Sequence, residues 1–337
     1  MTSVATTKAI RIRRHGGVEE LQSVDLALPE LAPDAVRVRH TAIGVNFSDV
    51  NVRRGGFYPD HKPSFPLGLG NEAAGIVERV GAQVSGFRPG DRVGYAGMRG
   101  QFYEDTGAYA EMRDVPADRL VRIPDGVSDQ QAAAVLLKGA TASLIINRVH
   151  TPGPEHIVLV HAAASGVGSI LVQWSKHLGA SVIGTVGSRA KAEIARSIGC
   201  DHVILYRETS FAPEVRKIAG QGLTAVFDGV GQDTFLPSLP LLRQFGHAIN
   251  YGNASGNVPP FNIMLLAVKS ISVTRVGVTG HIQDTQSFRS VAAELFGLVQ
   301  SGTIKVNIDR TYPLAAAAQA QADLEAGKFA GSIILLP

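Results

Sequence analysis

A single cysteine, Cys200, stands in 337 residues. It cannot close a disulfide within the chain, and it excludes any zinc site built from several thiolates. Charge of one sign is scarce too: 32 basic residues are set against 29 acidic ones, for a formal net charge of +3, scattered along the chain. The densest run, Arg11 to Arg14, reads as a solvated face rather than a nucleic-acid surface. Long apolar runs are missing. The segment IMLLAV ends at Lys269, well short of the roughly 18 to 20 residues that span a bilayer, and the N-terminal stretch lacks the apolar centre of a signal peptide. No G-x-S-x-G elbow, H-E-x-x-H pair or G-x-x-x-x-G-K-[ST] loop occurs, and the ten histidines show no metal spacing. Together these absences predict a cytoplasmic protein with no membrane span and argue against nucleic acid as a partner.

What the chain has in quantity is glycine, 37 residues, and apolar side chains, 45% of the total. That composition belongs to a globular protein with a sizeable core and many tight turns, and the length suffices for two domains. Residues 8 to about 125 read as short antiparallel strands in a barrel-like region: AVRVRHTAIG alternates Val36 and Val38 with charged neighbours, and GIVERVG, DRVGYA and AYAEMRD follow. From about 130 the rhythm changes. Apolar strands at IVLVH (157–161), SVIGTV, HVILY (202–206), TAVFD (224–228), HAINYG (247–252) and SVTRV (272–276) alternate with helices, one of them near 212–219. Six such strands joined by crossovers predict an α/β fold with a doubly wound parallel sheet. The Ala-rich LAAAAQAQADLEAG near the C-terminus predicts a helix.

The first of those strands runs into VHAAASGVG, Val160 to Gly168. A turn from a buried strand into a helix aims free backbone N–H groups and the positive end of the helix dipole at one spot, which suits a pyrophosphate. In the G-x-G-x-x-G register the three positions are Ala163, Ser165 and Gly168, with Gly166 alongside, so one fingerprint glycine is present. A purely structural turn is the other reading of the bare pattern; its place at the head of six strands favours the nucleotide. An NAD site wants a carboxylate about 20 residues beyond the turn, and none occurs between Gly168 and Glu193. Ser188, Arg189 and Lys191 stand there instead, a hydroxyl and two cations suited to a 2′-phosphate, which points to NADPH. The alternative is that they are simply exposed at a helix start.

With GVNFSDV, GNEAAGIV, GFRPGDRV, FDGVG and INYGNASG, the VHAAASGVG segment and its continuation to Gly199 resemble the zinc-independent NADPH:quinone oxidoreductases of the medium-chain dehydrogenase/reductase superfamily. The likeness covers essentially the whole chain. It implies a Rossmann-type NADPH-binding domain (134–276) inserted into an N-terminal GroES-like β-barrel catalytic domain (1–133 and 277–337) that the C-terminus completes. Metal-using relatives carry Cys in the position of Asn46 and His in that of Asn71, with a further ligand near Leu137 and Lys138, so the resemblance implies no zinc. Without a metal to hold a full oxyanion, the acceptor should spread charge itself. A quinone or another conjugated carbonyl does so, by direct two-electron transfer with no flavin.

The resemblance further implies that Asn46 and Asp49 lie near nicotinamide and substrate, with Thr141 close by. Ala164, Ser165, Gly166 and Val167 would line the pyrophosphate, Gly187, Ser188, Lys191 and Tyr206 the adenosine phosphate, and Tyr251, Gly252, Asn253 and Arg275 the rest of the groove. Asn46 as a cap of its own turn and Asp49 as a partner of Arg53 stand as alternatives. Relatives often show Tyr where Asn51 stands while keeping the aromatic at Tyr58. The loop 97–107 is longer than usual, and its Phe102 and Tyr103 can stack on a flat acceptor or belong to a surface loop without a substrate role. Quinone reduction thus competes with reduction of enones, alkenals or enoyl thioesters on the same scaffold. A third possibility is a non-catalytic nucleotide-binding protein, as in crystallin-like or RNA-binding relatives. The resemblance also implies a homodimer through the edge strand near Ser272 to Val276.

Overall fold

The computed structural model describes residues 6–55, 63–98 and 106–337. The chain divides into two compact units, the first made of Met1–Ala140, Thr279–Gln300 and Val306–Pro337 and the second of Thr141–Val278 with Ser301–Lys305. The first unit opens with β1 (Thr6–Ile12), β2 (Gln22–Ala27), β3 (Ala35–Val45), α1 (Phe47–Arg54), β4 (Leu67–Gly68) and β5 (Glu72–Val80), then β6 (Arg92–Ala96), β7 (Met112–Pro116) and β8 (Val121–Arg122). Helix α2 (Asp129–Leu144) contains the division at Ala140. The second unit alternates β9 (Ile157–Val160), α3 (Gly166–His177), β10 (Ser181–Val186), α4 (Arg189–Ser197), β11 (His202–Leu205), α5 (Phe211–Ile218) and β12 (Leu223–Asp228). It continues with α6 (Phe235–Ser238), β13 (Leu242–Asn250) and β14 (Ser272–Arg275). The chain ends with α7 (Thr279–Ile282), α8 (Thr285–Gln300), β15 (Ile308–Pro313), α9 (Ala317–Glu325) and β16 (Ser332–Leu336).

In the first unit one sheet has the order β15-β16-β3-β5-β6-β8, with β7 also on β3, and a smaller one the order β2-β1-β4. All these pairs are antiparallel except β15 with β16. β16 joins β3 through Ile333 opposite Val45, so the last residues of the chain complete a sheet begun by the first fifty. The alternation read in AVRVRHTAIG survives only in part: β3 is central, and even Arg37 is buried, with its guanidinium on Asp114 at 2.8 and 2.9 Å. AYAEMRD is a strand only from Met112, because Tyr109 and Ala110 turn to β1 instead, Ile10 N–H donating to the Tyr109 carbonyl.

The second unit's sheet has the order β11-β10-β9-β12-β13-β14 with every neighbour parallel. This is the doubly wound order in which ligands bind outside the carboxyl ends of the strands. Its core packs Leu159, Ile183, Val226 and Ala248 against Val215, Phe235 and Leu239. β13 starts five residues before HAINYG, at Leu242, and reaches that segment through a register shift at exposed residues including Phe245, whose φ is 60°. His161 is wholly buried between the Thr185 and Ser238 hydroxyls, 2.9 Å from each, as a core histidine. One helix among the described residues, Asp129–Val149, is long and apolar enough to cross a membrane, though 78% of its most apolar window is buried in the protein.

Candidate active site

Helix α1 starts with a capping box between Asn46 and Asp49, in which the Asp49 carboxylate accepts from the Asn46 N–H at 2.9 Å. The box turns Asp49 inward, where it has no exposed surface. Its Oδ2 also accepts from the Tyr109 hydroxyl at 3.0 Å, and its Oδ1 from Asn71 Nδ2 at 2.9 Å. Burial pushes the Asp49 carboxyl up to about 6, against the pull of these donors and of the nearby Lys138 charge. Arg53 faces elsewhere: its guanidinium donates to Gln321 Oε1 at 2.7 Å, to the Gly16 carbonyl at 2.7 Å and to Glu325 at 2.6 Å. Gln321, held by Arg53, directs its amide N–H at the Tyr109 hydroxyl 3.5 Å away, which leaves the phenol proton for Asp49.

Asn46 Nδ2 is committed to Glu72 Oε1 at 2.8 Å. That oxygen also accepts from Lys138 Nζ at 2.8 Å, while Glu72 Oε2 accepts from the Leu137 N–H at 2.7 Å. Glu72 fits only because residue 44 is glycine, since a Cβ there would overlap both the carboxylate and the Ala133 carbonyl. Asn46 and Asn71 therefore turn their NH₂ ends toward carboxylates, and Lys138 brings a cation into their midst. That donor set does not suit a divalent ion. Among the described residues no group of three or more His, Cys, Asp and Glu side chains is arranged to hold a metal. Asn51 lies half-buried on α1; Tyr58, Phe102 and Tyr103 fall outside the described residues.

In the second unit the remaining expected residues gather at the carboxyl ends of the parallel strands. Ala164, Ser165, Gly166 and Val167 form the turn from β9 into α3. Ser165 caps the helix by accepting from the Gly168 N–H at 3.2 Å, which leaves the N–H groups of Gly166 and Val167 without intrahelical partners. A Cβ on Gly168 would overlap the Ala162 carbonyl, and Ala162 itself sits at φ 51°. The turn is thus close-packed with one fingerprint glycine because it needs a bare backbone at that position.

At the next strand end, Ser188 caps α4 by accepting from the Lys191 N–H at 3.4 Å, and a Cβ on Gly187 would lie 2.7 Å from the Tyr206 hydroxyl and 3.3 Å from Arg207 Nε. Gly187, Ser188, Lys191, Tyr206 and Arg207 thus cluster at the ends of β10 and β11. Arg189 is drawn off by Glu208, 3.2 Å away at the surface. Tyr251, Gly252 and Asn253 follow β13 and pack on the FDGVG loop, the Tyr251 ring lying over Gly229. The Tyr251 hydroxyl and Asp228 Oδ2 are both buried without a hydrogen-bond partner, and burial raises both groups above their ordinary pKa. Two orphaned polar atoms beside a bare helix start are features a bound dinucleotide would satisfy. Asn253 bonds Asn257, Arg275 donates to the Asn250 carbonyl at 3.3 Å, and Thr141 lies on α2.

Glu72, Arg207, Tyr109 and Gln321 were not singled out in the sequence, and Lys138 only as a place near which metal-using relatives carry a ligand. Lys138 had a signal, a lone cation within the apolar AAAVLLKGATASLII, and Arg207 adjoins Tyr206; Tyr109 and Gln321 had none, since only folding brings them to Asp49.

Residues 32–125 match the alcohol dehydrogenase GroES-like domain and residues 166–296 the zinc-binding dehydrogenase domain. A quinone oxidoreductase of Salmonella typhimurium is 41% identical, with 97% of this chain and 99% of that protein covered. The crystal structure of Escherichia coli quinone oxidoreductase complexed with NADPH is 39% identical, superposes with a TM-score of 0.91 and is covered in full by 98% of this chain. A 2-haloacrylate reductase of Burkholderia sp. is 37% identical over 97% of this chain and 98% of its own length.

Proposed function

The chain belongs to the quinone oxidoreductases of the medium-chain dehydrogenase/reductase superfamily, and from that premise we propose that it reduces quinones with NADPH. The observation that carries the cofactor assignment is the cluster of Ser188, Lys191, Tyr206 and Arg207 at the ends of β10 and β11, where a dinucleotide's adenosine ribose would present its 2′-phosphate. Bound NADPH supplies a hydride from its dihydronicotinamide ring. The protein's part is to hold and orient: the α3 N-terminus takes the pyrophosphate, Tyr251 and Asp228 give their unpaired atoms to the cofactor, and the first unit carries the substrate side. We assign the second unit to NADPH and the first to catalysis. There Asp49, wholly buried, acts as a positioning residue for Asn46 and Asn71.

Zinc has no part in this reading, because two amides donating to carboxylates and a resident ammonium are unsuited to it. A flavin is not required for two-electron transfer to a conjugated carbonyl. The cytoplasm is the compartment we propose, on the strength of one buried free thiol, Cys200, which burial pushes up to about 12. A homodimer through β14 is the assembly we propose. β14 is an open edge, and beside it the segment Ile263–Lys269 exposes Ile263, Met264, Leu265 and Val268, the last at 89%.

The kinship with the 2-haloacrylate reductase favours a second reading, reduction of an activated alkene. Turnover of NADPH with 1,4-benzoquinone, 9,10-phenanthrenequinone, 2-chloroacrylate and a simple enone separates the two. Quinones should be reduced with the highest kcat/KM. A preference for 2-chloroacrylate or the enone would move the assignment to alkenes, and NADPH binding without oxidation by any acceptor would leave a nucleotide-binding protein.

A further inference from the structure

Resting on the reading of the chain as a reductase of conjugated carbonyls, we propose that Lys138 is the electrophilic catalytic residue, its ammonium donating to the acceptor's carbonyl oxygen and stabilising the charge that develops there.

Lys138 Nζ has three protons and its side chain is only 8% exposed, yet among the described residues it has one acceptor, Glu72 Oε1. Neighbouring acceptors are committed. Glu72 receives Asn46 and Leu137 besides Lys138, and Asp49 already receives three donors. A nearly buried ammonium with two N–H groups to spare is costly unless a further oxygen meets it. A ligand oxygen between Lys138 and the fixed amides of Asn46 and Asn71 would satisfy it. Glu72, pinned from three sides, holds the ammonium at a set position, so little reorganisation is needed when charge appears.

Bound NADPH would supply the hydride, which would bond to one oxygen of the quinone while the π electrons pass through the ring to the other oxygen, the one that meets Lys138 Nζ. The product is an oxyanion, the monoanion of the hydroquinone, hydrogen-bonded to Lys138 Nζ. A proton from water then completes the hydroquinone, while the nicotinamide leaves oxidised.

The variants Lys138→Gln and Lys138→Gln/Glu72→Gln test this, the second because it leaves no unpaired buried carboxylate if the first unfolds. Two measurements are made on holoenzyme whose fold is checked by near-ultraviolet circular dichroism. Steady-state reduction of 1,4-benzoquinone should lose about 100-fold in kcat, with the dissociation constant for NADPH unchanged. Binding of 4-nitrophenolate, an analogue of the oxyanion, to the NADP⁺-loaded protein should weaken about tenfold or more. A folded variant that keeps kcat within about twofold of the parent, or that binds the phenolate as tightly, overturns the proposal and leaves Lys138 as the structural partner of Glu72. If the parent reduces no quinone, the functional reading fails by itself, and the phenolate titration still decides the role of Lys138.

Discussion

Lys191 and Ser188 show how much a cofactor preference can rest on single side chains. Arg189 is engaged by Glu208 at the surface, while Lys191 stands beside Ser188 at the start of α4 and Arg207 beside Tyr206 at the end of β11. A charge-assisted hydrogen bond contributes roughly 1.5 to 3 kcal/mol. Lys191→Ala should accordingly lower kcat/KM for NADPH by about 10- to 100-fold and leave NADH as it was; an unchanged ratio of the two rejects the assignment. The buried titratable groups set a pH dependence of their own. Burial pushes His40 down to about 4 and His161 down to about 3, whereas both titrate near 6.5 once unfolded. Below pH 6.5 the unfolded chain therefore binds more protons than the native one at these sites, and stability held at neutral pH is lost as pH falls. Asp49 opposes this. With its carboxyl raised to about 6, it adds stability as pH falls from 6 to 4. Burial and the neighbouring His156 and His247 lower His150 to about 4 as well, burial lowers His247, and burial raises Asp228; the imidazoles outnumber the carboxyls, so stability falls on balance as pH falls through that window. Denaturant melts at pH 6, 5 and 4 should show this slope, and His161→Gln should flatten it; stability rising toward pH 4 would contradict the argument.

The turn into α3 and the start of α1 are the two helix beginnings on which the site depends. Gly168 leaves room for the Ala162 carbonyl and no more. Gly168→Ala should cost about 1 to 3 kcal/mol of stability and weaken NADPH binding measurably in a fluorescence titration, since the displaced helix start is the one proposed to take the pyrophosphate. Equal affinity with equal stability would mean the turn tolerates a side chain. Apolar runs bounded by glycine made β9 to β12 and β14 readable to within a residue or so of their ends. β13 was harder, because its first half is exposed and irregular. β15 and β16 went unread: β16 pairs with β3, almost 300 residues away in the chain, and β15 in turn pairs with β16. The capping box at Asn46 was among the readings left open, and the partner chosen by Asp49, Tyr109 rather than Arg53, depended on a loop distant in sequence.

Assembly is the property for which the surface speaks most directly. Met264 and Val268 are strongly exposed beside a strand that, among the described residues, has a neighbour on one side only. Burying such apolar area between two copies would contribute roughly 25 cal/mol for each Å² removed from water. The parent should sediment as a dimer, and Met264→Glu/Val268→Glu as a monomer that still binds NADPH; a parent that sediments as a monomer at micromolar concentration disposes of the interface.

Composition, strand rhythm and one glycine turn were enough to fix the fold class, the parallel-sheet segment and the lack of several thiolates, because each follows from short-range periodicity or from residue types alone. The buried network of Asp49, Tyr109, Gln321, Glu72 and Lys138 was decided by tertiary structure. Its members come from four separate elements and the loop that carries Tyr109, and a buried charge selects its partners by proximity after folding, a constraint that leaves almost no trace in local sequence.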